Sequence, residues 1–534
     1  MARPSYRYLI IFLMSIGFMI SFSLRSAFVM TVTHTSQLEE ETPVSIGHAH
    51  PLPQSIFVVS QNNSAWNESR ENYFWGAPPD KVSEIHPGRQ ESKSQFYRGC
   101  TVYNTSRDYE SGYSWSQSVQ FYSVYYLGMA PGYVVAGYLL SKVDAHHLIA
   151  VGFFMTGFLH LLIPVVFTLS GTGVMVIRVL NGFFESSMQP AALVITKSWA
   201  FKGEESTFLS MVLLGTYLSP ALASFFVGAC LCYISWNASL YILAGLLIIW
   251  AVLWCGLSYN SPLNCPHISD SDWKRYKEEQ SSGLSGFCSK GHKVPWRDIL
   301  TSKPVWAIWM AVANKNSNLV VVSSLVPLFF KEVYGIRAAD SGLLLIAPFL
   351  CNSASIVLSS YVSDSLINSG RLSTTAARKW MQCAGALGEA TFLICLIYVP
   401  GWRLAAVCLT LAQVMTGFCF PGFGCNTMDL SRRFSGAVSG VVFTGILMVF
   451  VITGLVSHLP DNEHFNKWTV VFWINAGIAI FSSVFYLVFA SGELQPWGDG
   501  EETKELNPSK HSSIQVEKEK QEEEEEEKMS MLKG

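Results

Sequence analysis

Windows of about 20 apolar residues recur along the whole chain, and this is the length that a helix needs to cross the hydrocarbon core of a bilayer. Because lipid offers no hydrogen-bond partner to a free backbone group, spans this dense restrict the chain to a helical bundle. Half of the 534 residues are hydrophobic and only 14% are charged, which is unusual for a soluble domain. We predict twelve spans, at 8–32, 118–140, 148–168, 173–197, 207–232, 238–258, 304–330, 341–360, 380–400, 404–427, 436–458 and 468–490.

The predicted spans fall into two groups of six, separated by a polar segment at 259–303, which we call the central segment. This division predicts an all-α membrane protein with two six-helix halves, 1–258 and 304–490, of the kind that binds a substrate between structural repeats. A long polar segment at 33–117 interrupts the first half. The 491–534 tail is acidic and low in complexity, so we expect it to be disordered.

Lysine and arginine are concentrated in the segments on one side of the predicted bundle, above all in the central segment. The positive-inside rule therefore places this side, with both termini, in the cytosol. The 33–117 segment is then lumenal or extracellular. Its three sequons, at Asn62, Asn67 and Asn104, are predicted glycosylation sites.

The fourth predicted span contains a stripe of polar side chains. Arg178, Asn181 and Glu185 are spaced i, i+3 and i+7, so they lie on one face of a helix. Charged groups are costly against lipid and normally face the bundle interior or a water-filled path. The alternative is an internal ion pair that only locks two helices together. Within the span itself, Arg178 is expected to act on the Glu185 carboxylate as a nearby positive charge. Pro190 removes a backbone donor and predicts a kink close to the carboxylate.

Three further charges lie within predicted spans. Arg25 offers a planar guanidinium that matches a carboxylate or a phosphate, although the side chain has the length to extend to the membrane interface instead. Lys315 and Asn316 belong to the most polar point of any span. Lys315 either pairs with Glu185 or Glu389, or adds positive charge for an anionic substrate. Glu389 either pairs with a cation or faces a crevice.

Several motifs resemble those of the anion-transporting branch of the major facilitator superfamily, which includes sialin, the vesicular glutamate transporters and the type I sodium-phosphate cotransporters. The resemblance extends over most of the chain apart from the 33–117 segment and the tail. Its most specific stretch runs from Pro295-Trp296 to Pro304-Val305-Trp306-Ala307-Ile308, and others are Arg178-Val-Leu-Asn-Gly182 with Glu185 and Pro190, Ser373 to Lys379, Gly424 to Asp429, and Ala490 to Trp497.

The resemblance implies secondary transport of a small organic anion, such as an acidic sugar or an amino-acid dicarboxylate, by alternating access. The driving force would be a proton gradient or the membrane potential, and the protein would not be an enzyme. Arg25 matches an arginine of the family, and Lys315 matches an arginine of the vesicular glutamate transporters. We predict proton coupling at Glu185 and Glu389, and substrate binding at Arg25, Arg178, Asn181, Lys315 and Asn316.

The resemblance also implies a gating loop at Asp364, with Arg378 in the motif that follows it. Three departures mark a divergent member. The corresponding loop of the first half, Gly137 to Asp144, is degenerate, Glu205 replaces a basic residue, and Glu389 stands where the family usually has proline.

We predict no cofactor and no metal, with a proton or a sodium ion as the coupling ion. The expected partners are a small anionic substrate, the lipid bilayer and sorting adaptors at the C-terminal tail, and a net charge of −3 gives no indication of nucleic-acid binding. An endolysosomal or secretory-vesicle membrane is expected, with the plasma membrane as the alternative. Two alternative functions are a plasma-membrane sodium-coupled phosphate or organic anion carrier, and a transport-inactive receptor or scaffold.

Overall fold

The computed structural model describes residues 5–41, 115–281, 293–336, 344–431, 433–457 and 467–498, and these ranges contain helices and no strand. The described part of the first half forms seven helices: α1 (Tyr6–Glu41), α2 (Trp115–Leu139), α3 (Ala145–Phe167), α4 (Gly171–Glu185), α5 (Met188–Trp199), α6 (Glu205–Tyr233) and α7 (Trp236–Leu257).

Two short helices belong to the central segment, and the second half follows them. Its seventh, tenth and eleventh spans are each built from two consecutive helices. The described helices are α8 (Asp270–Ser281), α9 (Trp296–Thr301), α10 (Lys303–Val320), α11 (Val326–Tyr334), α12 (Ile346–Asn368), α13 (Thr374–Tyr398), α14 (Trp402–Phe418), α15 (Phe420–Leu430), α16 (Ser435–Val442), α17 (Leu447–Ser457) and α18 (Lys467–Phe489).

A helix is present at each of the twelve predicted spans, and ten helical stretches of the described residues are long and apolar enough to cross a membrane by themselves. The two others are the second and fourth spans. Helix α2 is 25 residues long, but its serines and tyrosines lower its hydropathy. The fourth span is divided into α4 and α5 by a turn at Ser186 and Ser187.

The break between α4 and α5 confirms the predicted kink. Pro190 has no N–H to donate to the carbonyl of Ser186, four residues earlier, and its ring would clash with that carbonyl in a continuous helix. The regular helix therefore ends at Glu185, and a new helix begins at Met188. The carboxylate of the predicted polar stripe consequently lies at a helix end, beside backbone that is not part of a regular helix.

Helices α2 and α4 approach each other closely because glycine faces backbone at the crossing. A methyl group added to Gly182 would lie 2.0 Å from the carbonyl oxygen of Tyr125, and one added to Gly128 would lie 1.9 Å from the carbonyl oxygen of Val179. Any side chain at these positions would separate the two helices. This contact brings Tyr125 of α2 next to Glu185 of α4.

We predict that Gly182→Ala lowers the thermal stability of the purified protein, because the new methyl group overlaps a backbone atom that cannot rotate away. Overpacking of this kind costs about 1–3 kcal/mol. The measurement is a thermal unfolding curve in detergent. Gly245→Ala in α7 is the matched control, since a methyl group there meets no atom within 4 Å. Equal melting temperatures for the two variants would contradict the close helix crossing.

Candidate functional site

A cavity lies between the two halves and has about 1070 Å³ of empty space, counted with the part that is open to solvent. We call it the central cavity. Helices α1, α2 and α6 of the first half and α10, α12, α14 and α15 of the second half form its walls. A smaller inner pocket of about 420 Å³ shares Tyr217, Lys315, Phe420 and Phe423 with it. These four side chains therefore form the boundary between the two spaces.

The central cavity is remote from the membrane side that carries the central segment. The start of α1 marks that side, because Arg7 donates to Glu204 at 2.9 Å and Glu204 also pairs with Arg275 of the central segment at 3.2 Å. The lining residues of α1 begin only at Phe22, and those of α6 only at Thr216. The cavity is thus built from the parts of these helices that lie farther from the central segment.

Arg25 and Glu185 form a buried ion pair beside the central cavity. A guanidinium nitrogen of Arg25 lies 2.6 Å from the Glu185 carboxylate, and the two side chains are 8% and 2% exposed. The hydroxyl of Tyr125 donates to the other carboxylate oxygen. The alternative in which Arg25 extends to the membrane interface is therefore wrong, and the cation that pairs with Glu185 is Arg25 and not Arg178.

Arg178 and Asn181 are fully buried, but neither lines the central cavity or the inner pocket. The guanidinium of Arg178 lies over the rings of Phe28 and Tyr125, with its central carbon 4.1 and 4.6 Å from their centroids. Its Nε donates to the carbonyl of Phe121 at 3.4 Å. The terminal guanidinium nitrogens and both amide atoms of Asn181 have no hydrogen-bond partner among the described residues. In this conformation the polar stripe lies behind the cavity wall.

Lys315 lines both the central cavity and the inner pocket, and its neighbour Asn316 lines the inner pocket. The ammonium lies 5.1 Å from the ring centroid of Tyr217, a distance at which a cation is attracted to the aromatic face. Within the described residues it makes no ion pair with Glu185 or Glu389. The structural pairing that was the alternative for Lys315 is therefore absent, and the ammonium faces the space between the halves.

Glu389 is fully buried in α13 and is not part of either cavity lining. Its carboxylate accepts from the Asn318 amide at 2.7 Å and from the Asn314 amide at 3.3 Å. No cation of the described residues lies within ion-pair distance of it. The predicted alternative, pairing with a cation across the bundle, is therefore wrong for this conformation.

Asp364 and Arg378 of the second half both reach the start of α6 in the first half. Asp364 accepts from the backbone N–H and the hydroxyl of Thr207, each at 2.8 Å, where the positive end of the helix dipole favours an anion. Arg378 pairs with Asp429 at 2.7 Å and donates to the Ser206 hydroxyl at 2.8 Å. These contacts join the halves on the side of the central segment, where the predicted gating loop belongs.

Lys197 makes the reciprocal contact from the first half. Its ammonium donates to the carbonyl of Met428 at 2.9 Å and to the carbonyl of Ser431, at the C-terminal end of α15. We call the contacts of Asp364, Arg378 and Lys197 with the opposite half the latch. The sequence analysis missed Lys197, because a lysine in the last turn of a helix is also typical of an ordinary cap.

Other site residues that the sequence analysis missed are uncharged. Tyr125, Tyr217 and Gln413 lie in apolar windows, where a tyrosine or a single amide is ordinary in a helix core. The predicted glycosylation sites Asn62, Asn67 and Asn104 lie outside the described residues, as does most of the acidic tail.

The sequence of this chain is similar to those of known transporters. The profile of the Major Facilitator Superfamily matches residues 108–369. Vesicular glutamate transporter 2 of Bos taurus is 32% identical over 72% of this chain and 66% of its own length. Human sialin is 29% identical over 72% of this chain and 78% of its own length. The chain thus spans just under two thirds of the length of vesicular glutamate transporter 2.

Solved structures give the same architecture at low sequence identity. The proton:xylose symporter XylE superposes with a TM-score of 0.59 at 14% identity, covering 92% of this chain and 97% of its own. The fucose:proton symporter FucP of E. coli superposes with a TM-score of 0.53 at 12% identity, covering 91% and 100%. At such identities these likenesses show the fold alone.

We predict that Lys197→Met weakens the latch and exposes Cys425. This thiol is buried in α15, between Pro421, whose carbonyl accepts from Arg378, and Met428. Losing a hydrogen bond from a charged group costs about 1.5–3 kcal/mol, so the rate of maleimide labelling at Cys425 should rise about 10-fold or more. Site-resolved mass spectrometry separates this thiol from the exposed ones.

Lys142→Met is the matched control for the latch variant, because the Lys142 ammonium lies over Tyr138 of its own half. Its labelling rate at Cys425 should equal that of the wild type. A Lys197→Met protein that labels at the wild-type rate would show that Lys197 does not hold the halves together.

Proposed function

Because the chain belongs to the major facilitator superfamily, we propose that it is a secondary active transporter of a small organic anion that works by alternating access. One observation carries the proposal. The central cavity is lined by a cation from each half, Arg25 and Lys315, and no carboxylate of the described residues lines it. Because the two cations line the same cavity, both act on an anion that enters it.

The rest of the cavity lining favours an anion with a polar body. Amide and hydroxyl groups of Asn352, Gln413 and Thr416 can exchange hydrogen bonds with a ligand, and Tyr122 and Tyr126 add aromatic surface with polar tips. A planar guanidinium suits a carboxylate, and a second cation in the same cavity suits a second acidic group. An amino-acid dicarboxylate or an acidic sugar has this combination of groups.

We propose Glu185 as the proton-coupling group. When it is ionised, it holds the Arg25 guanidinium at 2.6 Å and competes with a substrate carboxylate for the same donors. A proton on Glu185 removes that competition and frees Arg25 for the substrate. Proton and anion would then bind together, which is the requirement for symport, and a membrane potential would act on the net charge of the loaded carrier.

We also propose an orientation in the membrane, based on the positive-inside rule. With the central segment in the cytosol, the latch closes the cytosolic side and the central cavity faces the lumen. A vesicular or endolysosomal membrane supplies an acidic lumen, and relatives of this chain are vesicular transporters by name. Protonation of Glu185 from the lumen and release into the cytosol would drive export of the anion from the compartment.

We predict that Glu185→Gln abolishes proton-driven uptake while the protein remains folded and inserted. The neutral amide keeps the hydrogen-bonding shape but carries no charge that a proton can cancel. The measurement is uptake of labelled L-glutamate, N-acetylneuraminate and phosphate into proteoliposomes with and without a proton gradient. Glu332→Gln, which changes a surface ion pair with Lys467, is the control. A Glu185→Gln protein that accumulates an anion as the wild type does would refute the coupling role.

We predict that Lys315→Ala weakens the binding of the transported anion about 10-fold or more with normal expression, and that Lys315→Arg retains partial affinity. A hydrogen bond to a charged group contributes about 1.5–3 kcal/mol, which is the basis of this magnitude. The measurement is the concentration dependence of uptake. Lys303→Ala at the exposed start of the same helix is the control. Unchanged affinity in Lys315→Ala would remove Lys315 from the binding site.

A further inference from the structure

The environment of Glu389 is unusual because the carboxylate is buried without a cation. Glu389 is 0% exposed, and its partners within the described residues are uncharged: the amide N–H groups of Asn314 and Asn318 and the hydroxyl of Thr416. A buried ion without an opposite charge costs several kcal/mol, and taking up a proton is the ordinary way to remove the charge. The position therefore suits a group that alternates between the ionised and the protonated form.

A chain of side-chain amides connects Glu389 to the central cavity. The Asn318 amide donates to Glu389 at 2.7 Å, Gln413 donates to the Asn318 oxygen at 2.7 Å, and Asn352 donates to the Gln413 oxygen at 3.0 Å. Asn318, Gln413 and Asn352 all line the central cavity, whereas Glu389 does not. Helices α10, α12 and α14 each contribute one amide, so this series of hydrogen bonds crosses the second half.

All three donors in this chain point the same way, towards the carboxylate. Such an alignment suits an ionised acceptor at the end of the chain. A protonated Glu389 would instead donate its O–H to the Asn318 oxygen. Asn318 would then donate to the Gln413 oxygen, and Gln413 to the Asn352 oxygen. That last oxygen is buried and has no partner among the described residues, so it is available to accept.

We propose that Glu389 is a second proton-binding site, and that the amides of Asn318, Gln413 and Asn352 form a reversible relay that reports its protonation to the central cavity. In the ionised state the relay directs its donors inwards. In the protonated state the three amides turn, and a different set of amide atoms faces the ligand. The link to transport rests on the proposed function, whereas proton binding at Glu389 does not.

The other ionisable groups around Glu389 leave the proposal intact. The Cys419 thiol, at the junction of α14 and α15, lies in its electrostatic neighbourhood and carries no positive charge. Lys315 of α10 faces the cavity over Tyr217. On α18, the Tyr486 hydroxyl is engaged by Asn426. Helix α12 contributes the neutral Asn352, and on α13 itself the Cys383 thiol bonds to a carbonyl of α18.

The experiment is infrared difference spectroscopy of the purified full-length protein in detergent, recorded as a function of pH. A protonated carboxyl group has its own C=O stretching band. The wild type should lose a component of that band as the pH rises, and Glu389→Gln should lack this component at every pH. Glu332→Gln at the surface is the control and should retain it. Gel filtration and a melting curve check that each variant is folded.

Gln413→Leu tests the relay without altering the carboxyl group. It removes the middle link, so the Glu389 component should change in frequency and persist to a higher pH. Gln189→Leu is the matched control, because Gln189 lines the inner pocket and bonds to Tyr133 of its own half. Equal spectra for Gln413→Leu and the wild type would overturn the relay.

Three results would overturn the proton site itself. They are identical carboxyl spectra for the wild type and Glu389→Gln, a Glu389 band that does not respond to pH, and loss of the band on adding NaCl at constant pH, which would indicate a sodium site. If Glu389→Gln fails to fold, the Gln413→Leu spectrum decides the proposal by itself. Because no transported anion is needed, failure of the uptake experiment leaves this test unaffected.

Discussion

The ion pair between Arg25 and Glu185 is the interaction on which the first half depends. While Glu185 is ionised, the pair joins α1 to α4, and because Arg25 also lines the central cavity, its guanidinium can exchange the carboxylate for a ligand without becoming an isolated buried charge. The other features of this half place the pair correctly. The helix break after Glu185 leaves its carboxylate at a helix end, and the glycine crossing at Gly182 brings the Tyr125 hydroxyl to it.

The two halves compensate their buried carboxylates in different ways, and this difference makes the lining of the central cavity positively charged. In the first half a carboxylate is neutralised by a guanidinium that also reaches the cavity. In the second half Glu389 is withdrawn into a set of amides, and Lys315 is left facing the cavity without a carboxylate. Glu185 and Glu389 thus lie behind the wall of the central cavity, whereas Arg25 and Lys315 line it. Asn314 and Asn318 lie just before a π-helix at Val321–Leu325, a type of distortion that is frequent at functional sites.

The spans, the two halves and the kink could be predicted from the sequence, because they follow from local periodicity. The burial of the polar groups inside the bundle could also be predicted, because charge is costly in lipid. It did not identify the partner of Glu185. Arg178 lies two turns away on the same helix, whereas Arg25 is 160 residues distant in the chain, and only the packing of α1 brings it near. Uncharged relay residues such as Gln413 give no signal, because their role depends on three helices meeting.

The latch is asymmetric, and its asymmetry determines how the halves can separate. In the second half, Asp364 and Arg378 hold the start of α6. In the first half, Asp144 accepts from the Asn260 amide at the start of the central segment, not from the second half, and α2 meets α16 through close backbone contact at Gly137. Opening must therefore break directional hydrogen bonds at the start of α6 and at Lys197, whereas α2 and α16 are held at Gly137 by close backbone packing. Since a ligand shifts a conformational equilibrium only by its differential affinity, the substrate must offset mainly the bonds at α6 and Lys197.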